Sequence, residues 1–322
     1  MRSDAVQAIF GALPQGSVRF VGGCVRNALM GVEVGDIDLA TQLEPKDVAK
    51  ALDAAEIRYV PTGIEHGTLT AVIDGKPLEI TSLRKDVETD GRRAVVAFTT
   101  DWTEDAQRRD LTINTLYADY DGTVYDPTGQ GLADLKAKKF RFVGDAEARV
   151  QEDYLRILRF FRFLAWYGGA AKIDATALKA CRENRRGLKK LSAERVWSEL
   201  KKLLTARDPS RAVHIMLTNE ILDTLLPEAS NAEGLGKMVA LESREAIAPD
   251  PLLRLMAMSA REPLQMALLC KRLKMSTKET NRLRAWSDSS VALDPHANDS
   301  EKLKAIYFAG KQVVIDRARV RA

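Results

Sequence analysis

Short apolar runs bounded by turn residues characterise the first part of the chain. Residues 67–73 and 77–83 flank the pair Asp74-Gly75, and an Asp-Gly pair between apolar runs predicts a β-hairpin. Residues 140–143 form the last run of this kind, and we interpret it as a short strand. The pattern therefore predicts a part that mixes strands and helices and ends near residue 145.

A strand, a glycine pair and a helix follow one another near the start. Val18 to Val21 is predicted to be a strand, Gly22-Gly23 ends it, and Cys24 to Met30 has the pattern of one or two helical turns. Such a turn can direct backbone N–H groups at a phosphate, and Arg26 would add a charged donor. The chain contains neither the dinucleotide-binding glycine pattern nor the P-loop pattern, which would identify a phosphate site, so an ordinary turn is the alternative.

Residues 36–40 alternate polar and apolar side chains, which predicts a half-buried strand. Asp36 and Asp38 would then share one face, about 6–7 Å apart. Two carboxylates near a phosphate-binding turn suit divalent cations in a displacement at phosphorus, although a solvated strand face would show the same pattern. Glu79 becomes a third candidate carboxylate if its strand lies beside this one, and a solvated glutamate is an equally good interpretation.

Residues 84–107 lack a clear period, and we predict that most of them form a mobile loop, which contains Asp90-Gly91-Arg92-Arg93. The segment that follows is rich in hydrogen-bond donors, with Arg108-Arg109-Asp110 and then Asn114. Its two arginines either bind a sugar-phosphate or form a surface ion pair, and the sequence leaves both open.

The composition becomes helical from Ala146 onward. One long helix is predicted through residues 152–164 to about Tyr167, ended by Gly168-Gly169. Asp153, Arg156, Arg159 and Arg162 follow it at three-residue steps. Pairs at this spacing usually give only intrahelical support, but three arginines on a helix rich in Phe and Leu suggest a phosphate or base as partner.

Composition limits the class of protein. With 322 residues, 45% of them hydrophobic, the chain can fold into two or three domains or subdomains, and its net charge of +4 does not by itself indicate a nucleic-acid-binding protein. Three cysteines far apart argue against a disulfide framework. Because no apolar run approaches 18 residues, we expect a cytoplasmic protein with no membrane partner.

Five motifs occur together in the order typical of one family. They are Gly22-Gly23-Cys24-Val25-Arg26 with Asp36-x-Asp38, Asp90-Gly91-Arg92-Arg93, Arg108-Arg109-Asp110 with Asn114, Glu152-Asp153-x-x-Arg156, and Leu191-Ser-Ala-Glu194-Arg195. With these motifs, which span about residues 20 to 200, the chain resembles the class II tRNA nucleotidyltransferase (CCA-adding enzyme) and bacterial poly(A) polymerase family of the polymerase-β-like superfamily. One position departs from the family pattern, because Asn27 stands where the family usually has Asp.

The resemblance implies an α+β fold made of several parts. The N-terminal part would be a polymerase-β-like nucleotidyltransferase head with a small mixed sheet at residues 1–145. An all-helical neck for nucleotide selection would follow at residues 146–206, and a helical body and tail that bind tRNA at residues 207–322.

The resemblance also implies roles for individual residues. Asp36 and Asp38 would bind Mg²⁺ as catalytic residues. Glu79 is a further catalytic candidate because of its predicted strand position and not because of the resemblance. Nucleotide binding is implied for the following residues: Gly22, Gly23, Arg26, Arg109, Asp110 and Asn114 in the head, and Asp153, Arg156, Arg159 and Arg162 in the neck. Asp153 and Arg156 would read the base edge, and the loop of Asp90, Gly91, Arg92 and Arg93 would be the flexible element that helps switch from C to A.

The implied activity is addition of C, C and A to the 3′ end of tRNA from CTP and ATP, with release of pyrophosphate. A poly(A) polymerase or a partial enzyme that adds only CC or only A would use the same chemistry. A non-catalytic RNA-binding module is the alternative from a different class. The sequence leaves monomer and weak dimer open.

Overall fold

The structure is a computed structural model that describes residues 3–86, 96–288 and 297–321. The chain divides into two compact units. The first comprises Met1–Ala146 with Lys172–Asp174, and the second comprises Glu147–Ala171 with Ala175–Ala322. None of the helices in the described ranges is long and apolar enough to cross a membrane.

The first unit combines strands and short helices. In chain order these are α1 (Asp4–Ala12), β1 (Val18–Val21), α2 (Gly23–Leu29), β2 (Asp38–Thr41), α3 (Pro45–Ala54), β3 (Tyr59–Gly63), β4 (Thr68–Ile73), β5 (Lys76–Ser82), β6 (Arg84–Asp86), β7 (Val96–Phe98), α4 (Trp102–Gln107), β8 (Tyr117–Ala118), β9 (Val124–Tyr125) and α5 (Gly131–Lys136). Short 3₁₀ turns at Ile64–His66 and Thr112–Asn114 complete it.

Within the described residues, seven strands form one mixed sheet in the order β3-β4-β5-β2-β1-β8-β9. The β2–β5 pair is parallel and the other neighbours are antiparallel. The predicted hairpin is confirmed, because β4 and β5 pair up to Ile73 and Lys76 around the two-residue turn Asp74-Gly75. Both turn residues have positive φ, as a type I′ turn requires.

The Asp36-x-Asp38 strand is shorter than predicted. The strand β2 begins at Asp38, and Asp36 lies in a bend two residues before it. Strand β1 ends at Val21, and its last pair with β2 joins Phe20 and Leu39, so the residues before Asp38 have no partner on β1. The alternation of side chains therefore did not locate the start of the strand.

The segment at residues 84–107 is more regular than predicted. Its described part contains β6 and β7, which pair as a separate two-stranded ribbon, and the helix α4. The predicted strand at residues 140–143 is reduced to a single antiparallel bridge between Phe142 and Leu111. Residues 90–93, the predicted flexible element, lie outside the described residues.

The second unit is helical in its described parts. In chain order its helices are α6 (Ala146–Glu152), α7 (Leu155–Phe163), α8 (Ala175–Glu183), α9 (Ala193–Leu204), α10 (Ser210–Thr218), α11 (Ala232–Arg244), α12 (Pro251–Met258), α13 (Pro263–Arg272), α14 (Thr277–Ser287), α15 (Asp299–Ala309) and α16 (Lys311–Arg321). A mixed sheet followed by helices confirms the predicted α+β class.

The single long helix predicted to include residues 152–164 and to run to about Tyr167 is two helices, α6 and α7. The side chain of Asp153 accepts a hydrogen bond from the N–H of Leu155 at 3.1 Å, a local bond that competes with helix continuation. A π-helical turn at Leu164–Gly168 follows α7 and ends at Gly169, which has positive φ. The predicted end at the glycine pair is therefore confirmed, and the predicted continuity at Asp153 was wrong.

Candidate functional site

The parallel pair of β2 and β5 brings two of the predicted carboxylates together. Asp38 and Glu79 are direct partners in the register, and both side chains are exposed. Their neighbours Leu39 and Ile80 are fully buried, so the apolar side chains hold the two strands in the core. Glu79 is a third candidate carboxylate if its strand lies beside the strand of Asp38, and the structure shows these two strands paired.

The charges around Asp38 support this grouping. Although Asp38 is exposed overall, the protein atoms around its carboxyl partly desolvate it and raise its pKa, the carboxylates of Glu79 and Asp36 raise it further, and the guanidinium of Arg109 lowers it. The net result is a pKa above the ordinary value. Three carboxylates and one arginine of the first unit therefore lie within electrostatic range of one another.

The donor set fits a hard divalent cation. Across the described ranges, no group of three or more His, Cys, Asp or Glu side chains is arranged as a metal site. Mg²⁺ typically takes only one or two carboxylates from a protein and completes its shell with water and substrate phosphates. A bound cation would also relieve the repulsion that raises the pKa of Asp38, so Asp36 and Asp38 suit such an ion.

The glycine turn packs closely against the arginines of the site. Gly22 has φ +67°, which favours glycine, and a Cβ there would lie 3.4 Å from Nη1 of Arg109 and 3.6 Å from the carbonyl oxygen of Asn114. The N–H of Gly22 donates to the carbonyl of Leu116 at 3.0 Å, which ties the turn to the residue before β8. Gly22 therefore allows this close approach of the backbone.

Arg26 is held by a chain of hydrogen bonds. It is 6% exposed, and its Nη1 donates to Oδ1 of Asn114, whose amide in turn donates to Asp110 at 2.9 Å. Nε and Nη2 of Arg26 donate to Oδ1 of Asn27, and the Asn27 amide donates to the carbonyl of Glu33 at 3.1 Å. Asn27 thus orients Arg26, and the amide provides the acceptor that a carboxylate would provide.

Arg109 is fixed by a residue that the sequence interpretation missed. Asp105, on α4, accepts hydrogen bonds from Arg109 and from Arg108, each with a shortest distance of 2.7 Å, and from the hydroxyl of Tyr117, also at 2.7 Å. Burial alone would raise the pKa of Asp105, but the two guanidinium groups outweigh it and hold that pKa well below its usual range. The i,i+3 and i,i+4 spacing to the arginines was present in the sequence, but residues 84–107 were interpreted as a loop.

The predicted base-reading residues have partners inside the second unit. Asp153 accepts from Nη2 of Arg195 at 2.7 Å, and Arg195 belongs to the last of the five motifs. Arg156 donates to Glu152 at 2.6 Å and to the carbonyl of Arg149 at 2.9 Å. The fourth and fifth motifs are therefore adjacent in the fold, and both side chains are engaged with protein groups.

The two later arginines of α7 differ in their surroundings. Arg162 donates from Nε to Oε2 of Glu199 on α9 at 2.7 Å, and Glu199 is 5% exposed. The guanidinium of Arg162 also lies 4.5 Å from the ring centre of Phe163, and that of Arg159 lies 5.8 Å from the same ring. Arg162 is thus committed to packing α7 against α9, in contrast to the predicted contact with a nucleotide, which stays untested.

Two family models match the chain. The one described as the poly A polymerase head domain matches residues 18–141, and the one described as a probable RNA and SrmB-binding site of polymerase A matches residues 172–233.

Named relatives resemble most of the chain. The mitochondrial CCA tRNA nucleotidyltransferase 1 of Mus musculus is 42% identical over 82% of this chain and 61% of its own length. The CCA-adding enzyme of Streptococcus pyogenes is 39% identical over 68% of this chain and 54% of its own length. The chain therefore spans between half and two thirds of the length of these relatives.

A solved structure shares the whole fold. The crystal structure of the Bacillus stearothermophilus CCA-adding enzyme in complex with CTP matches with a TM-score of 0.73 and 28% identity, over 100% of this chain and 78% of that chain. Its agreement with the family models and the named relatives supports a single assignment. The chain belongs to the family of tRNA nucleotidyltransferases and poly(A) polymerases.

Proposed function

We propose that this protein adds C, C and A to the 3′ end of tRNA from CTP and ATP. The observation that carries the proposal is the pairing of Asp38 with Glu79, with Asp36 and Arg109 in electrostatic range, in a unit that matches a polymerase head. The names of the relatives, which are CCA-adding enzymes, support this product over poly(A).

Asp36 and Asp38 would hold Mg²⁺. When bound, the ion supplies charge neutralisation at the triphosphate and lowers the pKa of the attacking ribose hydroxyl. Glu79, beside Asp38, adds negative charge that strengthens the attraction for a cation. Nucleotidyl transfer depends mainly on positioning and charge, so a covalent nucleophile is not required.

The other residues of the first unit would bind the nucleotide. Arg109 directs Nη1 toward the glycine turn, where a triphosphate can approach the backbone because Gly22 carries no side chain. Arg26 and Asn114 would contact phosphate and sugar, and Asp110 would orient Asn114 through the hydrogen bond at 2.9 Å. Each of these groups is already held by protein contacts, so little ordering is needed on binding.

Asp153 and Arg156 would select the base. A carboxylate accepts from an exocyclic amine and a guanidinium donates to ring nitrogens or carbonyl oxygens, so the two groups together can distinguish base edges. Asp153 and Arg156 would exchange part of their present hydrogen bonds, with Arg195 and Glu152, for bonds to the base.

We further propose that the second unit comprises the neck to residue 206 and a tRNA-binding body and tail. The three cysteines, Cys24 in the first unit and Cys181 and Cys270 in the second, are buried free thiols, which suits a reducing compartment such as the cytoplasm.

The test uses a tRNA that lacks its terminal CCA, supplied with CTP alone, ATP alone, or both. We expect two added nucleotides with CTP alone, none with ATP alone and three with both, and no addition when Mg²⁺ is chelated. A long ladder with ATP alone would identify a poly(A) polymerase, and arrest after two nucleotides with both substrates would identify a CC-adding enzyme. Absence of any product, with tRNA still bound, would support the non-catalytic module.

A further inference from the structure

Asp105 is a fully enclosed carboxylate in the middle of the first unit. It is 1% exposed and accepts hydrogen bonds at both oxygens. Oδ2 accepts from Nε and Nη2 of Arg109, at 3.1 and 2.7 Å, and from the hydroxyl of Tyr117 at 2.7 Å. Oδ1 accepts from Nε and Nη2 of Arg108, at 2.8 and 2.7 Å, and from the N–H of Arg84 at 3.2 Å.

The two oxygens of Asp105 therefore serve different parts of the fold. Oδ2 holds the guanidinium of Arg109 against Tyr117 of β8. The strand β8 pairs with β1, which leads into the glycine turn. Oδ1 holds the N–H of Arg84, the first residue of the ribbon β6–β7. One side chain thus connects the ribbon, the helix α4 and the central sheet.

The orientation of Arg109 follows from this arrangement. Asp105 occupies the edge of the guanidinium formed by Nε and Nη2, and the remaining nitrogen, Nη1, faces Gly22, where it would lie 3.4 Å from an added Cβ. A planar guanidinium that is held along one edge has a fixed direction for its other donors. The carboxylate of Asp105 therefore fixes the position of the Arg109 guanidinium relative to the glycine turn.

We propose that Asp105 is the positioning residue for nucleotide binding by Arg109, and that it ties this arginine to the base of the β6–β7 ribbon. The inference rests on the proposed function for the identity of the ligand, a nucleoside triphosphate. Asp105 is enclosed by protein and does not itself touch the nucleotide. Its effect on the reaction therefore passes through Arg109.

The experiment is a double-mutant cycle in the full chain, with Asp105→Asn, Arg109→Ala and the combination. Arg109→Ala should reduce kcat/KM by about 10²-fold or more, with the larger part in KM for CTP and ATP, because it removes a charged donor to the bound triphosphate. Asp105→Asn should reduce it by about 10²-fold, mainly through a higher KM for CTP and ATP, because a misplaced group costs about as much as a missing one. In the Arg109→Ala background, Asp105→Asn should change kcat/KM by less than about twofold.

A matched control separates positioning from loss of stability. Asp316 in the second unit is also fully buried and accepts from Nε and Nη2 of Arg282 at 2.8 Å each. Asp316→Asn should lower the melting temperature and leave unchanged the affinity for CTP measured in the absence of tRNA.

If Asp105→Asn does not fold, Asp105→Glu replaces it, since Glu keeps the charge and displaces the carboxylate by one methylene. Asp105→Glu should also raise the KM for CTP and ATP.

The outcomes distinguish this inference from the proposed function. Wild-type protein that binds CTP but adds nothing to tRNA would overturn the proposed function, while a weaker CTP affinity in Asp105→Asn would still support the role of Asp105. Wild-type protein that adds CCA, with Asp105→Asn and Asp105→Glu unchanged in KM, would overturn the positioning role alone. Fully additive losses in the cycle would also overturn it, because Asp105 would then act independently of Arg109.

Discussion

Removal of Arg162 should destabilise the helical unit without changing which nucleotide is added. Arg162 on α7 donates to Glu199 on α9 at 2.7 Å, and the side chain of Glu199 is only 6% exposed. Among the described residues, the other cation paired with this carboxylate is the exposed Lys202, whose Nζ lies 3.8 Å from Oε1. Arg162→Met therefore leaves a buried carboxylate with one weak, solvated partner.

The expected cost follows from this geometry. Breaking a buried ion pair by removing one partner costs about 3–5 kcal/mol, and we expect the lower end because Lys202 remains. For a unit of 150–250 residues, each kcal/mol lowers the melting temperature by about 2–4 °C, so Arg162→Met should melt about 6–12 °C below the wild type. Replacing both partners by apolar residues, Arg162→Met with Glu199→Leu, should restore most of this loss, because no buried charge is then left unpaired.

The assay combines thermal unfolding followed by circular dichroism with nucleotide incorporation at a temperature where every variant is folded. The ratio of C to A incorporation should equal that of the wild type in both variants. A melting temperature within about 2 °C of the wild type, together with an altered ratio, would refute the structural role. It would favour the earlier expectation that Arg162 contacts the nucleotide.

Three further predictions test other parts of the chain. Asp36→Asn and Asp38→Asn should each abolish incorporation and retain tRNA binding, and Asp38→Asn should not lower the melting temperature, because burial and the neighbouring carboxylates already disfavour its charge. Arg156→Ala should relax the choice between CTP and ATP more than it weakens tRNA binding, measured with mixed nucleotides and by filter binding. Burial alone would raise the pKa of Glu279, but hydrogen bonds led by that from Lys201 lower it to about 2. Because this folded pKa lies below that of the unfolded chain, the stabilisation is complete above about pH 4.5 and is lost as the pH falls toward 2, so the unfolding midpoints of wild type and Glu279→Gln should converge in that range.

Local features of the fold were predictable because local chemistry decides them. The strand at Val18–Val21 has the predicted bounds, since the glycine at position 22 adopts a positive φ that ends it. The hairpin around Asp74-Gly75 depends in the same way on two residues that accept positive φ. In both cases the residues that determine the structure are adjacent in the sequence.

Features that depend on tertiary packing were not predictable in the same way. The parallel pairing that sets Glu79 beside Asp38 joins strands separated by about 40 residues, and alternation within each strand does not define the register between them. The role of Asp105 was missed for a related reason. Its spacing to Arg108 and Arg109 is helical, but the helix α4 has only six residues and too few apolar positions to show a period.

The arginines of α7 show why a regular spacing did not reveal a common function. An α-helix turns by about 100° per residue, so side chains three residues apart point in directions that differ by about 60°. The directions of Arg156 and Arg162, six residues apart, therefore differ by about 120°. Side chains that diverge in this way leave the helix in different directions, so the regular spacing alone does not direct them at one ligand. The structure agrees, because Arg156 turns toward Glu152 on α6 and Arg162 toward Glu199 on α9. If Arg156 contacts the base as proposed, Arg162 can keep its ion pair with Glu199, so we expect base selection and helix packing to depend on different arginines of α7.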